Sequence, residues 1–307
     1  MLQRIQHGNG LVTYQSPLLE KAEVPHAFTT RLGGVSPPPF DSLNFQPASR
    51  SVAHLGPGPT VVMREAGPLP QQVDKGSASP PLHSSAPPAD QYETVVENFR
   101  RVAMALGCPD RRTVCVWQVH GKEVCVWPGQ ANDVTPGDPT TVVAQADALV
   151  SADAKVLISV RVADCVPVLL ADRTGSVVAA IHAGWRGVVG QIIEATLACL
   201  RDQFQLSPKD LLTAIGPCIS AEHFEVGQEV AAAFEAADLA AAIRRDFQPR
   251  PHIDLQQALA LQLERAGVPV EQIDRNDRCT FADRGEFYSH RRDEGRTGRM
   301  AAVIGAR

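Results

Sequence analysis

Hydrophobic and polar positions follow two different periods along the chain, and these periods predict interleaved helices and strands. Apolar residues recur at spacings of three and four in segments that predict helices at 91–106, 190–204, 227–242 and 254–266. Short apolar runs bounded by turn residues predict strands at 113–120, 122–127, 148–150, 156–162, 166–171, 176–182, 211–215 and 300–305.

The predicted strands have a character that bears on the fold class. Several are apolar at nearly every position, which favours sheets buried on both faces. Gly121 lies at the break between two neighbouring runs, so residues 113–127 are interpreted as a hairpin. Pro167 inside another run predicts an edge, a bulge or an irregular strand. Helices and strands interleave without clean βαβ periods, which predicts an α/β fold of the α+β kind: one layered domain of mixed sheets flanked by helices.

A proline-rich segment interrupts this pattern. Twelve of the 24 prolines lie between Pro37 and Pro88, and no Phe, Tyr or Trp occurs between Gln46 and Gln91. A segment without aromatic anchors buries too little apolar surface to offset its ordering entropy. We therefore predict a flexible insertion at about 46–91 within a single catalytic domain that spans residues 1–307.

Composition and charge exclude several classes of function. Hydrophobic residues make up 44% of the 307 residues, enough for a sizeable core, and no apolar run reaches the ~18 residues that a membrane helix needs. A net charge of −5 gives no general attraction to nucleic acid. Seven cysteines without a CxxC pair, and no evident secretory signal, lead us to expect a cytoplasmic protein with free thiols that binds neither nucleic acid nor membranes.

Three patches combine reactive side chains with glycines or turn-forming residues. They contain His120, Cys165 and His182, and two imidazoles with one thiolate form a chemically sensible zinc set with a fourth position open. The three positions do not have a local metal-ligand spacing. Structural roles therefore stay open for all three, as does a metal-free pair in which Cys165 is the nucleophile and His182 its base.

Arginines mark further candidate binding groups. The glycine-interrupted segment 287–299 is rich in arginine, which suits phosphate or carboxylate binding, although a solvated surface loop tied down by its own acidic residues fits equally. Arg31 and Arg186, both close to glycines, leave the same two interpretations open.

Seven blocks in order closely resemble one family. They are HAFTTRLGGVS at 26–36, SLN at 42–44, WQVHG at 117–121, ADCVPV at 163–168, HAGWRG at 182–187, IGPCI at 215–219, and SHRRD with TGR between 289 and 299. The family is that of the multicopper polyphenol oxidases (laccase-like), also described as purine nucleoside phosphorylases or peptidoglycan editing factors. The resemblance covers the chain except the segment near 46–91, where the family usually has a short loop.

The resemblance implies a fold, a metal and several activities. The fold would be a layered α/β domain similar to toxin-type deamidases with a Cys–His pair, with one catalytic zinc held by His120, Cys165 and His182. The implied activities are phosphorolysis of adenosine, inosine, guanosine and methylthioadenosine, together with adenosine deamination. A cell-wall precursor editing hydrolase using Cys165 and His182, or a laccase-like polyphenol oxidase, is the alternative. Copper is disfavoured because the chain has no dense His-x-His pairs.

Under this resemblance the substrates are a small-molecule nucleoside and phosphate, bound by a monomer or weak homodimer. Phosphate would attack the ribose C1′, and in deamination zinc-activated water would attack C6 of adenine. Arg31 and Arg186 are the candidates to hold phosphate, and Asn44 and Gln118 the candidates to hold polar groups of the substrate. A non-catalytic domain with the proline-rich segment as a recognition arm is a third hypothesis.

Overall fold

The structure of the protein is a computed structural model that describes residues 1–46, 60–62, 90–127, 140–247 and 249–307. The predicted flexible insertion at 46–91 lies largely outside the described residues. Where it is described, the segment Thr60–Val62 forms a short strand, although the composition predicts a loop there.

The four predicted helices and the eight predicted strands each correspond to an observed element, whereas the elements at 17–21, 140–145, 185–189, 243–244, 252–253 and 273–274 are not predicted. We number all helices and strands in chain order. The helices are α1 Pro17–Lys21, α2 Tyr92–Ala105, α3 Trp185–Val189, α4 Ile192–Phe204, α5 Gln228–Ala236 and α6 Leu255–Arg265. The strands of the first half are β1 Gln3–Gln6, β2 Val12–Gln15, β3 His26–Thr29, β4 Thr60–Val62, β5 Arg112–Trp117, β6 Val124–Val126, β7 Thr140–Gln145 and β8 Ala148–Ser151. Those of the second half are β9 Val156–Val162, β10 Val166–Asp172, β11 Val178–Ala183, β12 Leu211–Ile215, β13 Ile243–Arg244, β14 His252–Ile253, β15 Ile273–Asp274 and β16 Met300–Ile304.

The strands assemble into two large mixed sheets. The first sheet has the order β1-β2-β3-β16-β9-β5-β7, and the second has the order β15-β12-β10-β11-β8-β6-β4. β13 and β14 form a separate two-stranded ribbon. Within the first sheet β9 pairs antiparallel with β16 and parallel with β5. Within the second sheet β8 pairs antiparallel with β11 and parallel with β6, so both sheets mix orientations.

The core consists of three apolar layers that the two sheets separate. In β10, Val168 and Leu170 belong to the cluster that packs against α3 to α6, whereas Leu169 and Ala171 belong to the cluster between the two sheets. A third cluster joins the outer face of the first sheet to α2 through residues such as Phe99. Burial of both sheet faces explains why the strands are apolar at nearly every position. The predicted α/β class of layered mixed sheets flanked by helices is confirmed.

The predicted hairpin at 113–127 is wrong. β5 belongs to the first sheet and β6 to the second, so residues 118–123 carry the chain from one sheet to the other. Each of these strands finds its partners far along the chain, because β5 pairs with β7 and β9 while β6 pairs with β8 and β4. Local apolar alternation cannot distinguish this crossover from a turn.

Pro167 lies in an interior strand, which corrects the expectation of an edge, a bulge or an irregular strand. β10 pairs on both sides, with β11 and β12. Pro167 is the second residue of β10, just beyond the last β12 partner, Ile215. A proline is tolerated there because no ladder hydrogen bond from its nitrogen is needed at the start of a strand.

The observed helix ends agree with the periodicity in α6 and differ from it in α5. Asp254 caps α6, since its carboxylate accepts a hydrogen bond from the Gln257 amide at 2.9 Å. α5 ends at Ala236 and a 3₁₀ turn follows at Ala240–Ala242, so the predicted helix 227–242 was too long. Across the described ranges no helix combines the length and the apolar character that crossing a membrane requires.

Candidate metal centre

Two crossovers between the sheets and the end of one strand build the candidate site. His120 lies on the connection from β5 to β6, and Cys165 lies on the connection from β9 to β10. Both connections run from the first sheet to the second. His182 is near the end of β11, directly opposite Pro167 in β10. The fold therefore brings together three residues that are distant in sequence.

The three side chains converge closely enough to share one ion. The potential ligand atoms of His120, Cys165 and His182 all lie within 4.8 Å of one another. The two imidazole rings meet edge to face, with centroids 4.8 Å apart at 86°. His182 is buried, Cys165 is half-buried and His120 is exposed, so the site opens to solvent on the His120 side. The chemistry of two imidazoles and one thiolate fits a zinc ion with an open fourth position.

Asp147 binds both the connection that carries His120 and the side chain of His182. Its side chain is fully buried, and its Oδ1 accepts hydrogen bonds from His182 Nδ1 at 2.8 Å and from the His120 amide at 3.0 Å. Its Oδ2 accepts from the amides of Val119 at 3.2 Å and Gly121 at 2.7 Å. Because Nδ1 of His182 carries the proton, Nε2 is available as a ligand or as a base.

Charge interactions within the site oppose the effect of burial. Burial alone would raise the pKa of the Cys165 thiol, but the charge of His182 and hydrogen bonds from both imidazoles lower it to about 6. Burial likewise disfavours charged His182, yet the Cys165 thiolate and the Asp147 carboxylate raise its pKa to about 9. In the absence of a metal these shifts favour a thiolate beside a charged imidazole, which is also the arrangement of a cysteine nucleophile.

Gly184 lets the ligand side chains approach one another. A Cβ atom at this position would lie 2.9 Å from His120 Cδ2 and 3.3 Å from Cys165 Sγ. The backbone of Gly184 itself is extended, with φ −74°, so contact rather than backbone conformation requires glycine here. His120 and Asp164 both adopt positive φ, at 61° and 84°, which places sharp bends beside the site.

Asp164 ties the arginine-rich segment to the Cys165 connection. Its carboxylate accepts hydrogen bonds from Thr280 Oγ1 at 2.7 Å, Ser289 Oγ at 3.0 Å and the Arg291 amide at 2.6 Å. The segment 287–299 is therefore anchored beside Cys165. Asp164 itself is buried.

Two of the binding residues predicted from the sequence are Arg31 and Arg186. Arg31 is bound to backbone carbonyls, whereas Arg186 is exposed. The Arg31 guanidinium donates to the carbonyls of Asp41 at 2.9 Å and Arg284 at 3.4 Å, and it lies over the Tyr288 ring. Arg186 is exposed and stacks on the ring of Trp185, 4.5 Å from its centroid, beside the turn that follows His182.

The other two, Asn44 and Gln118, are engaged with the protein backbone. Asn44 is fully buried, and its Oδ1 accepts from the amides of Gln46 at 3.1 Å and Arg299 at 2.8 Å. Gln118 follows β5, and its side chain donates to the Arg161 carbonyl at 2.7 Å and accepts from the Arg161 amide at 2.8 Å. The Gln118 amide thus continues the β5–β9 ladder towards His120.

Sequence reasoning missed Asp147 and gave no role to Asp164 or Arg161. Each has a weak signal in the sequence: Asp147 stands directly before the apolar run of β8, and Arg161 interrupts the apolar run of β9. A charged residue that borders or interrupts a buried strand requires a specific partner, which is the signal that could have found them.

The chain resembles known proteins over most of its length. A family model described as multi-copper polyphenol oxidoreductase laccase matches residues 76–307. A purine nucleoside phosphorylase of Deinococcus radiodurans is 36% identical over 296 residues, covering 96% of this chain and 93% of that protein. The purine nucleoside phosphorylase YfiH of Escherichia coli is 36% identical over 279 residues, covering 90% and 91%. The crystal structure of YlmD from Geobacillus stearothermophilus aligns with a TM-score of 0.76 at 30% identity, covering 99% of this chain and 98% of that one.

Proposed function

The chain belongs to the family of the multi-copper polyphenol oxidoreductase laccases, and we propose that it acts as a zinc-dependent purine nucleoside phosphorylase. This membership confirms the resemblance drawn from the seven motif blocks. The observation that carries the proposal is the convergence of His120, Cys165 and His182, whose potential ligand atoms lie within 4.8 Å of one another. Two relatives named purine nucleoside phosphorylase support the choice of reaction.

The metal is proposed to be one zinc ion held by His120, Cys165 and His182. When bound, it would supply Lewis-acid polarisation of the substrate or of a water molecule. The protein itself supplies the orientation: Asp147 fixes the proton of His182 on Nδ1, and Gly184 leaves room for His120 beside Cys165. Copper is disfavoured because a multicopper centre needs several metal sites, whereas the described residues offer one three-ligand group and the chain has no dense His-x-His pairs.

The proposed substrates are purine nucleosides, namely adenosine, inosine, guanosine and methylthioadenosine, together with inorganic phosphate. In phosphorolysis a phosphate oxygen forms a bond to the ribose C1′, the C1′–N9 bond breaks, and the purine leaves with a proton. Deamination of adenosine at the same site would add water at C6 and release ammonia. The exposed position of His120 gives a nucleoside access to the centre from solvent.

The four binding residues proposed from the motifs have different support. Asn44 and Gln118 would act by positioning Arg299 and Arg161, since their side chains bind those backbones. Arg186 would contact substrate at the rim of the site, where it is exposed beside Trp185. Arg31 has the least support as a phosphate ligand because Asp41 and Arg284 already engage it.

A metal-free cysteine hydrolase acting on a cell-wall precursor is a second candidate. It is favoured by one specific observation: Cys165, His182 and Asp147 stand in the order nucleophile, base and orienting carboxylate, and the pKa of Cys165 is lowered to about 6. Oxidation of a phenol, which the family description names, is the third reaction to compare.

The test combines metal analysis with assays of the purified protein. We expect about one zinc per chain, phosphate-dependent release of hypoxanthine from inosine, and loss of both on substitution Cys165→Ala. Cys279→Ala is the matched control, because Cys279 is also half-buried with a histidine nitrogen, His223 Nδ1, 3.6 Å from its sulfur.

Three results would each overturn the proposal, the first by excluding this centre and the other two by selecting a different reaction. Hypoxanthine release that continues unchanged after Cys165→Ala rules out this centre. Activity on a cell-wall precursor that survives chelation but not thiol alkylation selects the cysteine hydrolase. Phenol oxidation that requires added copper, without phosphorolysis, selects the laccase reaction.

A further inference from the structure

Two arginines lie on the same face of the first sheet, close to the end at which the candidate centre forms. Arg161 in β9 pairs with Ala301 in β16, and the register continues through Met300 opposite Val162. Arg299 directly precedes Met300, so it lies on the same face as Ala301 and diagonally across from Arg161. Diagonal cross-strand neighbours are about 7–8 Å apart, within reach of long side chains.

Both arginines are held through their backbones, so the positions of their main chains do not depend on what the guanidinium groups bind. Gln118 binds the amide and the carbonyl of Arg161, and Asn44 accepts a hydrogen bond from the amide of Arg299. The Arg299 guanidinium donates to the carbonyls of Thr297 and Gly298, both at 3.0 Å. Among the residues that the structure describes, no carboxylate forms an ion pair with either guanidinium.

Arg299 is largely buried and lies close to a second positive charge, that of Arg161. Burial lowers the pKa of Arg299, and the charge of Arg161 lowers it further, whereas Cys165 and Asp164 favour the charged form. The Asp164 oxygens are already occupied by Thr280, Ser289 and the Arg291 amide. Two neighbouring guanidiniums without a paired carboxylate are unfavourable unless an anion lies between them.

The arginine pair is continuous with the candidate centre. Gln118, whose side chain binds the amide and the carbonyl of Arg161, lies two residues before His120. Asp164, the residue before Cys165, accepts hydrogen bonds from Ser289 Oγ and the Arg291 amide, so it anchors the segment that contains Arg299. An anion bound between Arg161 and Arg299 would therefore lie beside the reacting groups rather than on a remote surface.

We propose that Arg161 and Arg299 form the subsite for the phosphate co-substrate next to His120, Cys165 and His182. This inference rests on the proposed phosphorylase function, and it assigns phosphate to a different pair from Arg31 and Arg186. A guanidinium presents paired donors that match the oxygens of phosphate, and two of them neutralise its double charge. A carboxylate offers the same kind of oxygen, so the test must separate the two anions.

The experiment measures phosphorolysis of inosine by the zinc-loaded protein at varied phosphate concentration. Arg161→Gln and Arg299→Gln should each raise the KM for phosphate roughly 10- to 100-fold, the value of a charge-assisted hydrogen bond, and leave the KM for inosine within about twofold. Arg161→Lys should fall between wild type and Arg161→Gln, because it keeps the charge and loses the fork. Arg201→Gln, at an exposed arginine of α4, is the matched control.

A binding measurement separates this inference from the proposed function. Inorganic phosphate, and acetate in parallel, are titrated calorimetrically into wild type and Arg161→Gln without nucleoside. If wild type releases no hypoxanthine but Arg161→Gln binds phosphate roughly 10-fold or more weakly, the proposed function fails and the subsite stands. If phosphorolysis occurs and Arg161→Gln leaves the KM for phosphate unchanged, the subsite is wrong and the function stands.

Two remaining outcomes also decide the question. A rise in the KM for phosphate in Arg31→Gln or Arg186→Gln, and in neither Arg161→Gln nor Arg299→Gln, overturns the assignment. Weaker binding of acetate alone in Arg161→Gln makes the pair a carboxylate site and likewise overturns it. If Arg299→Gln does not fold, as judged by circular dichroism, Arg161→Gln and Arg161→Lys carry the test, since substitution of Arg161 breaks no ion pair among the described residues.

Discussion

Replacing Asp147 with asparagine tests the architecture of the candidate centre most directly. The carboxylate accepts four hydrogen bonds, two on each oxygen: His182 Nδ1 and the His120 amide on Oδ1, and the amides of Val119 and Gly121 on Oδ2. Asparagine has nearly the same shape but keeps one acceptor oxygen and places an NH₂ group where the other oxygen stood. Either orientation therefore leaves two N–H donors facing another donor.

The magnitude follows from those two donors. A buried donor left without an acceptor costs about 1–3 kcal/mol, and water reaches part of this connection because Val119 and His120 are exposed. We therefore expect Asp147→Asn to lower the free energy of unfolding of the metal-free protein by about 2–4 kcal/mol. Zinc affinity should fall roughly 10- to 100-fold, as it does when a group that orients a ligand histidine is removed.

The assay is urea unfolding of the metal-free protein, followed by zinc competition with a chromophoric chelator. Asp172→Asn is the matched control: Asp172 is also buried and accepts from the amides of Thr174 at 3.0 Å and Val177 at 2.7 Å. It lies at the opposite end of β10 from Cys165, so it should cost stability without weakening zinc binding. Unchanged zinc affinity in Asp147→Asn, or an equal loss of zinc affinity in Asp172→Asn, would show that Asp147 does not orient the ligand His182.

Three further predictions concern other residues. Gly184→Ala should displace His120 and weaken zinc binding roughly 100-fold, whereas Gly8→Ala, with no neighbour within 4 Å, should not; equal zinc titrations of the two would contradict this. Burial lowers the pKa of His26 to about 4, so the unfolded chain takes up a proton on this histidine before the folded protein does. The free energy of unfolding therefore falls by about 3 kcal/mol as the pH falls from 6.5 to 4, and this contribution is complete above pH 6.5. His26→Gln should flatten the unfolding free energy against pH in that window, and an unchanged slope would count against it. In the metal-free protein Cys165 should react first with iodoacetamide, and zinc should protect it; peptide mass spectrometry that finds no protection would remove zinc from that thiol.

The elements near the candidate site show how far the pattern of the chain predicts the structure. The strand around residues 156–162 and the helix begun by Asp254 follow from local periodicity and capping, which depend on neighbouring residues alone. The hairpin at 113–127 failed because the partners of β5 and β6 lie in different sheets, and those pairings join residues distant in sequence.

The amino-acid sequence is enough to predict the α/β class, the family, and His120, Cys165 and His182 as the candidate centre. Those properties reside in side-chain identity and in short motifs. Only the tertiary structure showed that Asp147 orients His182 and that Arg161 lies across from Arg299. The physical reason is that both relations depend on which strands become neighbours, and strand order follows from packing of the whole core rather than from any local period.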